Sequence, residues 1–298
     1  MKKVKVIVSD MDGTLLNEDK ELTQGTIDVF KAAQKQGVKI VLASGRNVSM
    51  IEPYARQLGL FEYGGYMIGN NGQQCYECST NELIEDGSID IEVAQSIFTF
   101  AKRNHLIYLM ESKRGFLIHT PWMLFPIKAI VLYLQTRHKL KKRQQQPYAI
   151  FSGFTMDADS HMITLSTPKQ IDHQATKIGV AQYNIWLRRK EKQFVDTFKS
   201  QVAITKVTSF WYDVMPSHIN KGNGIKWVSE KTGISLDQFV VFGDAQNDLS
   251  MFDVVRNNYA MANAMSDVKA KATQICESNE NQGVAKAVNS LLQLGYDV

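Results

Sequence analysis

Two hydrophobic periods alternate along the chain. Val4–Ser9 is a short β-branched run of the kind needed by a strand buried on both faces. Thr23–Gln36 carries Ile27, Phe30 and Ala33 at helical spacing and stops at Gly37. Val38–Ala43 predicts a second buried strand and Val48–Leu58 a helix. Tyr66–Ile68 predicts a short strand running into Asn70-Asn71-Gly72. This alternation predicts a parallel sheet with helices on both faces.

The middle of the chain reads differently. Strand-like runs (Leu106–Met110, Phe116–His119, His161–Leu165) interleave there with helical ones (Ile91–Arg103, Gln170–Leu187). The first pattern then returns. A helix over Asn223–Thr232 closes at Gly233, and a strand over Gln238–Phe242 closes at Gly243-Asp244. Further helices are expected over Leu249–Val255, Val268–Ala272 and Val284–Leu294. No internal repeat is evident. The pattern is that of one α/β domain interrupted by another.

Composition narrows the class. The chain has 298 residues, 44% apolar and 21% charged, which excludes disordered, fibrous and disulfide-stapled proteins. At roughly 150 residues per domain, the length suggests two domains. A net charge of +4 is too small to imply a nucleic-acid partner. The most basic stretch, Arg137–Arg143, lacks interleaved aromatics and is expected to be a solvated helix face. Three cysteines indicate a reducing compartment, and Cys75-Tyr76-Glu77-Cys78, with no second pair, is expected to be a structural hairpin. The apolar run after the first lysines is too short for a signal peptide. The most apolar window, Gly115–Gln135, contains His119, Pro121, Pro126 and Lys128 and does not suit a spanning helix. A cytoplasmic protein with no membrane partner is expected.

The candidate chemistry lies where apolar elements begin or end. One strand ends in Asp10-Met11-Asp12-Gly13-Thr14 and another in Ser44-Gly45-Arg46. A later one ends in Gly243-Asp244-Ala245-Gln246-Asn247-Asp248, and Asn220-Lys221-Gly222 opens a helix. In open parallel sheets, ligands bind outside the carboxyl ends of the strands, so these four segments can share one site. Asp10, Asp12 and Asp244 offer hard oxygens to an ion such as Mg²⁺, and without a cation they would raise one another's pKa values. Lys221, the Ser44 hydroxyl and the Gly45 N–H suit a phosphate. One carboxylate can act as nucleophile, and a second, two residues along, as acid and base. Ser44 is also a candidate cap for the helix that follows. Arg46 stays open between substrate contact and structural ion pair.

These four ordered motifs resemble those of the haloacid dehalogenase superfamily, and more narrowly its Cof-type (subclass IIB) phosphatases. The resemblance extends to Asn70-Asn71-Gly72, Ala260-Met261-Ala262-Asn263-Ala264 and Gly283-Val284-Ala285. It implies a doubly wound, Rossmann-like α/β core and an aspartyl-phosphate mechanism. It implies Asp10 as nucleophile and Mg²⁺ ligand, and Asp12 as general acid/base with its backbone carbonyl on the metal. Asp244 would be the third ligand and Asp248 a supporting carboxylate. Met11 (through its N–H), Ser44, Gly45, Lys221 and Asn247 would hold the phosphoryl group, with Arg46 and Asn71 as candidate substrate contacts. Ala262 stands where the family usually has glycine, and Asn281-Gln282 where it often has an acidic pair; both lie outside the four motifs. An acid at position 12 favours phosphoryl transfer over dehalogenation, because it can protonate an alcohol leaving group.

Spacing locates the second domain. Asp10 and Ser44 are 34 residues apart, enough for one crossover, whereas Ser44 and Lys221 are 177 apart. The expected division is a catalytic core of residues 1–83 and 209–298 with an α/β cap of residues 84–208 inserted. Relatives with a cap in this place mostly hydrolyse small phosphorylated metabolites, such as sugar phosphates. A phosphomutase and a phosphorylation-dependent regulator remain alternatives at this point.

Overall fold

The structure is a computed structural model that describes residues 3–112, 115–121, 148–151, 154–156, 162–181, 185–208 and 211–298. The described residues form two compact units. One runs up to Asp86 and resumes at Ile219; the other is Gly87–His218.

The first unit is built on an eight-stranded sheet. Its spatial order is Gln274–Cys276, Asn258–Met261, Phe239–Gly243, Val6–Ser9, Lys39–Ala43, Tyr66–Gly69, Gln74–Glu77 and Glu82–Glu85. The first six strands pair parallel and the last two antiparallel. Val6–Ser9 and Phe239–Gly243 are buried throughout, as strands covered on both faces must be. The crossover helices begin at side-chain caps. Thr23 caps Gln24–Lys35, and Asn220 caps Lys221–Thr232, which closes at Gly233 in the left-handed conformation. The cap of Val48–Gln57 is Asn47, which accepts from Met50 N–H, and not Ser44. Ser44 lies too far upstream to reach the first turn, and its hydroxyl accepts from Arg46 N–H at 3.1 Å instead.

The second unit has a six-stranded sheet: Met162–Thr164, Gly115–His119, Ile107–Ser112, Lys177–Ala181, Trp211–Pro216 and Val202–Thr208. Its pairs are antiparallel, except that Met162–Thr164 lies parallel to Gly115–His119. Tyr108, Met110, Ile178, Val180, Tyr212 and Val214 pack on one face with residues of the helices Ile91–Arg103 and Ile185–Phe198. Leu109, Phe116, Ile118 and Trp211 form the cluster of the other face. Two buried charges, Lys177 and Asp213, also pair in this sheet at 2.8 Å.

Two expectations are revised here. The contact boundaries fall at Asp86/Gly87 and His218/Ile219 instead of 83/84 and 208/209. The reason is pairing: Glu82–Glu85 joins the first sheet, and Trp211–Pro216 pairs with two strands of the second. Gln170–Leu187 is not one helix but a 3₁₀ turn, the strand Lys177–Ala181 and the start of Ile185–Phe198. A short apolar run fits either period, and ladders on both sides make this one a strand. Arg137–Arg143 lies outside the described residues. No helix among the described residues is long and apolar enough to cross a membrane.

Candidate active site

Asp10 follows the strand Val6–Ser9, and its N–H donates to Phe242 O at 3.0 Å. The chain then turns tightly around Met11, whose carbonyl accepts from the N–H groups of Thr14, Leu15 and Leu16. The neighbouring strand Phe239–Gly243 ends beside it and delivers Asp244. Four residues later Asp248 folds back, and one of its oxygens accepts from the N–H groups of Asp244 and Ala245 at 2.9 and 3.0 Å.

Lys221 closes this arrangement. It is the first residue of its helix and fully buried. Its Nζ donates to Asp10 Oδ1 at 2.5 Å and to Asp248 Oδ1 at 2.6 Å. Thr14 Oγ1 donates to Asp244 Oδ1 at 2.7 Å. One carboxylate oxygen each from Asp10, Asp244 and Asp248 lies within 4.8 Å of the others, the group among the described residues that could hold a metal ion. Burial and the neighbouring Asp248 and Asp244 charges hold the Asp10 carboxyl well above its usual pKa, against the pull of Lys221. Burial and Asp248 push Asp244 up to about 6. Burial favours neutral Lys221, but Asp10 and Asp248 outweigh it and raise its pKa. Crowded oxygens with raised pKa values fit a hard divalent cation, which removes the repulsion.

The resemblance placed the Asp10 and Asp244 carboxylates and the Asp12 backbone carbonyl around a metal, with Asp248 behind them. The Asp248 carboxylate lies in one group with those of Asp10 and Asp244, and the Asp12 side chain, which the resemblance assigns to acid/base work, is not part of it. Asp12 instead takes two hydrogen bonds from Arg46, at 2.7 and 2.6 Å, and pairs with Lys20 at 3.1 Å. Partial burial pushes the Asp12 carboxyl up, but these two cations hold it below its ordinary value.

The loop Asn70-Asn71-Gly72 supports the site from the side of the third strand. Asn70 and Asn71 have φ of 47° and 55°, in the left-handed region that asparagine tolerates best among non-glycine residues. Gly72 has φ of 107°, and a Cβ there would lie 2.2 Å from Asn220 O, so the approach to the Lys221 helix requires glycine. Asn71 N–H donates to Ser44 O, and Asn71 Oδ1 accepts from Asn247 Nδ2 at 3.0 Å. Asn71, a candidate substrate contact, is thus also a hydrogen-bond partner of Asn247. Gly45 faces the Asn71 side chain, which a Cβ would meet at 3.4 Å.

Cys75 and Cys78 are free and buried at the Gln74–Glu77 hairpin, with thiols pushed up to about 12 mainly by burial. Neither is poised as a thiolate ligand. Sequence reasoning missed Lys20 and left Thr14 without a role. Lys20 has no motif to flag it; it reaches Asp12 from a turn in which its φ is 63°.

Residues 7–288 match the family model described as haloacid dehalogenase-like hydrolase. The chain belongs to that family. Among the relatives of this haloacid dehalogenase-like hydrolase, a Streptococcus pyogenes protein is 28% identical over 286 residues, covering 96% of this chain and 97% of its own. The HMP-PP phosphatase of Klebsiella pneumoniae is 26% identical, covering 90% of this chain and 87% of its own. In fold, the hydrolase superposes on a subclass IIB sugar phosphatase with a TM-score of 0.74 at 22% identity, covering 98% of this chain and 100% of that one.

Proposed function

We propose that this hydrolase is a Mg²⁺-dependent phosphatase acting on small phosphorylated metabolites through an aspartyl phosphate on Asp10. The observation that carries the reading is Lys221 bound to Asp10 and Asp248 beside Asp244, at the carboxyl ends of two adjacent parallel strands. Relatives named for the hydrolysis of HMP-PP and of 5-amino-6-(5-phospho-D-ribitylamino)uracil support the substrate class.

Asp10, Asp244 and the Asp12 backbone carbonyl would hold Mg²⁺, with Asp248 supporting them through Lys221 and the Asp244 N–H, and the bound ion would neutralise charge on the phosphoryl oxygens. Lys221 fixes one Asp10 oxygen and so orients the carboxylate for in-line attack. An Asp10 oxygen bonds to phosphorus as the bond to the ester oxygen breaks, and Asp12 gives that oxygen its proton. Asp12 then takes a proton from water, whose oxygen bonds to phosphorus, releasing phosphate and restoring Asp10. Ser44, Gly45, the Met11 N–H and Asn247 are assigned to hold the phosphoryl oxygens; the Asn71 contact keeps Asn247 in place.

Phosphate release from 4-nitrophenyl phosphate and a panel of phosphorylated sugars and cofactor precursors tests this reading. Turnover is expected with Mg²⁺ and lost with a chelator. Asp10→Asn should lower kcat by at least about 10³-fold while melting near the wild-type temperature. Metal-independent turnover, or an active Asp10→Asn variant, would overturn the assignment.

A further inference from the structure

Asp12 sits in a closed circuit of polar groups. Arg46 Nε and Nη2 donate to its two oxygens, and Arg46 Nη1 donates to the Tyr54 hydroxyl at 3.3 Å. That hydroxyl donates to Lys20 O at 2.9 Å, and the Lys20 ammonium returns to Asp12 Oδ1. The Arg46 guanidinium also lies 5.5 Å from the centre of the Tyr54 ring. Lys20 completes the circuit from a turn in which its own backbone is left-handed. That turn is held by Lys20 N–H on Asn17 O and by Glu21 N–H on Asn17 Oδ1. Arg46 is mostly buried, and three of its N–H groups are used within the protein.

This geometry does not suit an arginine that serves chiefly as a substrate contact. A planar fork engaged at both prongs by one carboxylate fixes the position and plane of that carboxylate. It also accounts for Asp12 lying two residues from Asp10 without joining the carboxylates around Lys221.

We propose that Arg46, itself set by Tyr54 and the Lys20 turn, is the positioning residue for Asp12. It holds the carboxyl apart from the metal-capable group and fixes its position and plane. This inference rests on the phosphatase reading of the same site. In the first step the proton passes from Asp12 to the ester oxygen as the phosphorus–oxygen bond breaks. In the second, water returns a proton to Asp12 and its oxygen to phosphorus. Arg46 exchanges no atom in either step.

Leaving-group dependence tests the role, because a 4-nitrophenolate departs without a proton and a sugar alkoxide does not. The two kcat/KM values are to be measured with 4-nitrophenyl phosphate and a hexose 6-phosphate, in saturating Mg²⁺. Arg46→Ala should cost on the order of 10²-fold on the sugar ester and less than about tenfold on the aryl ester. Arg46→Lys, with the charge but no fork, should fall between. Tyr54→Phe should shift the ratio in the same direction by a smaller factor, and it decides the matter alone should Arg46→Ala fail to fold. Equal losses on both esters would overturn the proposal, as would a raised KM with unchanged kcat, the mark of a substrate contact. No turnover of either ester by the wild type would remove the phosphatase reading and this one together. Wild-type turnover of both with an unchanged ratio in the variants removes only this one.

Discussion

Each unit buries a lysine completely, and the two lysines are placed differently. In the Gly87–His218 unit, Lys177 pairs with Asp213 at 2.8 Å, and the other Asp213 oxygen accepts from Trp211 Nε1 at 2.7 Å. Both oxygens of that carboxylate are engaged by donors of its own sheet. In the other unit, Lys221 binds two carboxylates with a third beside them, and two of the three have raised pKa values. A buried charge whose partners satisfy it belongs to the architecture, whereas an excess of one sign in one crevice is a demand for something from outside.

Replacing each lysine by methionine should separate the two cases most strongly. Either change leaves buried carboxylates uncompensated, and each is expected to cost about 3–5 kcal/mol of stability. Mg²⁺ should restore much of the loss in Lys221→Met and none in Lys177→Met, as read by thermal unfolding with and without the ion. Turnover should vanish only in Lys221→Met. Equal responses to Mg²⁺ would erase the distinction.

A second test leaves every charge in place. Gly72→Ala sets a methyl against Asn220 O and imposes a φ that alanine resists, so a loss of about 2 kcal/mol or more is expected. Activity should fall further than stability accounts for, because the displaced segment starts the Lys221 helix. Wild-type kcat in a folded Gly72→Ala protein would show that the loop does not set the site.

The smallest effect concerns acid. Protonated carboxyls do not ligate, and Asp244 is raised to about 6 before any cation binds. The Mg²⁺ concentration for half-maximal activity should therefore rise as pH falls through 6, by at most about tenfold per unit for one group. A half-saturation constant independent of pH between 5 and 7 would remove Asp244 from the ligand set.

Legibility in the sequence followed the length and composition of each element. In the core, the strands Val6–Ser9, Lys39–Ala43 and Phe239–Gly243 are mostly apolar runs whose ends carry short polar motifs next to glycine, so these strands and the candidate residues at their ends could be read from spacing. The antiparallel strands gave less. Val202–Thr208 is rich in β-branched residues but interrupted by Lys206, and Trp211–Pro216 carries buried Asp213, so neither gives the continuous apolar run of a core strand. In the core, the parallel strands Asn258–Met261 and Gln274–Cys276 were missed because each is only three or four residues long and opens on a polar residue. Within the site, the residues were legible but their partners were not. Arg46 to Asp12, Asn71 to Asn247 and Thr14 to Asp244 are contacts across 34, 176 and 230 positions, which local pattern does not encode.

The cluster around Lys221 also has an ionic stoichiometry. Three ionised carboxylates against one ammonium leave two negative charges, the complement of one divalent cation. Protons can stand in for that cation, which is what the raised carboxyl pKa values express. In mildly acidic, chelator-treated solution the crevice should thus approach electroneutrality without magnesium. On the proposed reading, folding and loading then become separable events, and adding the ion to the intact apoprotein is expected to start turnover.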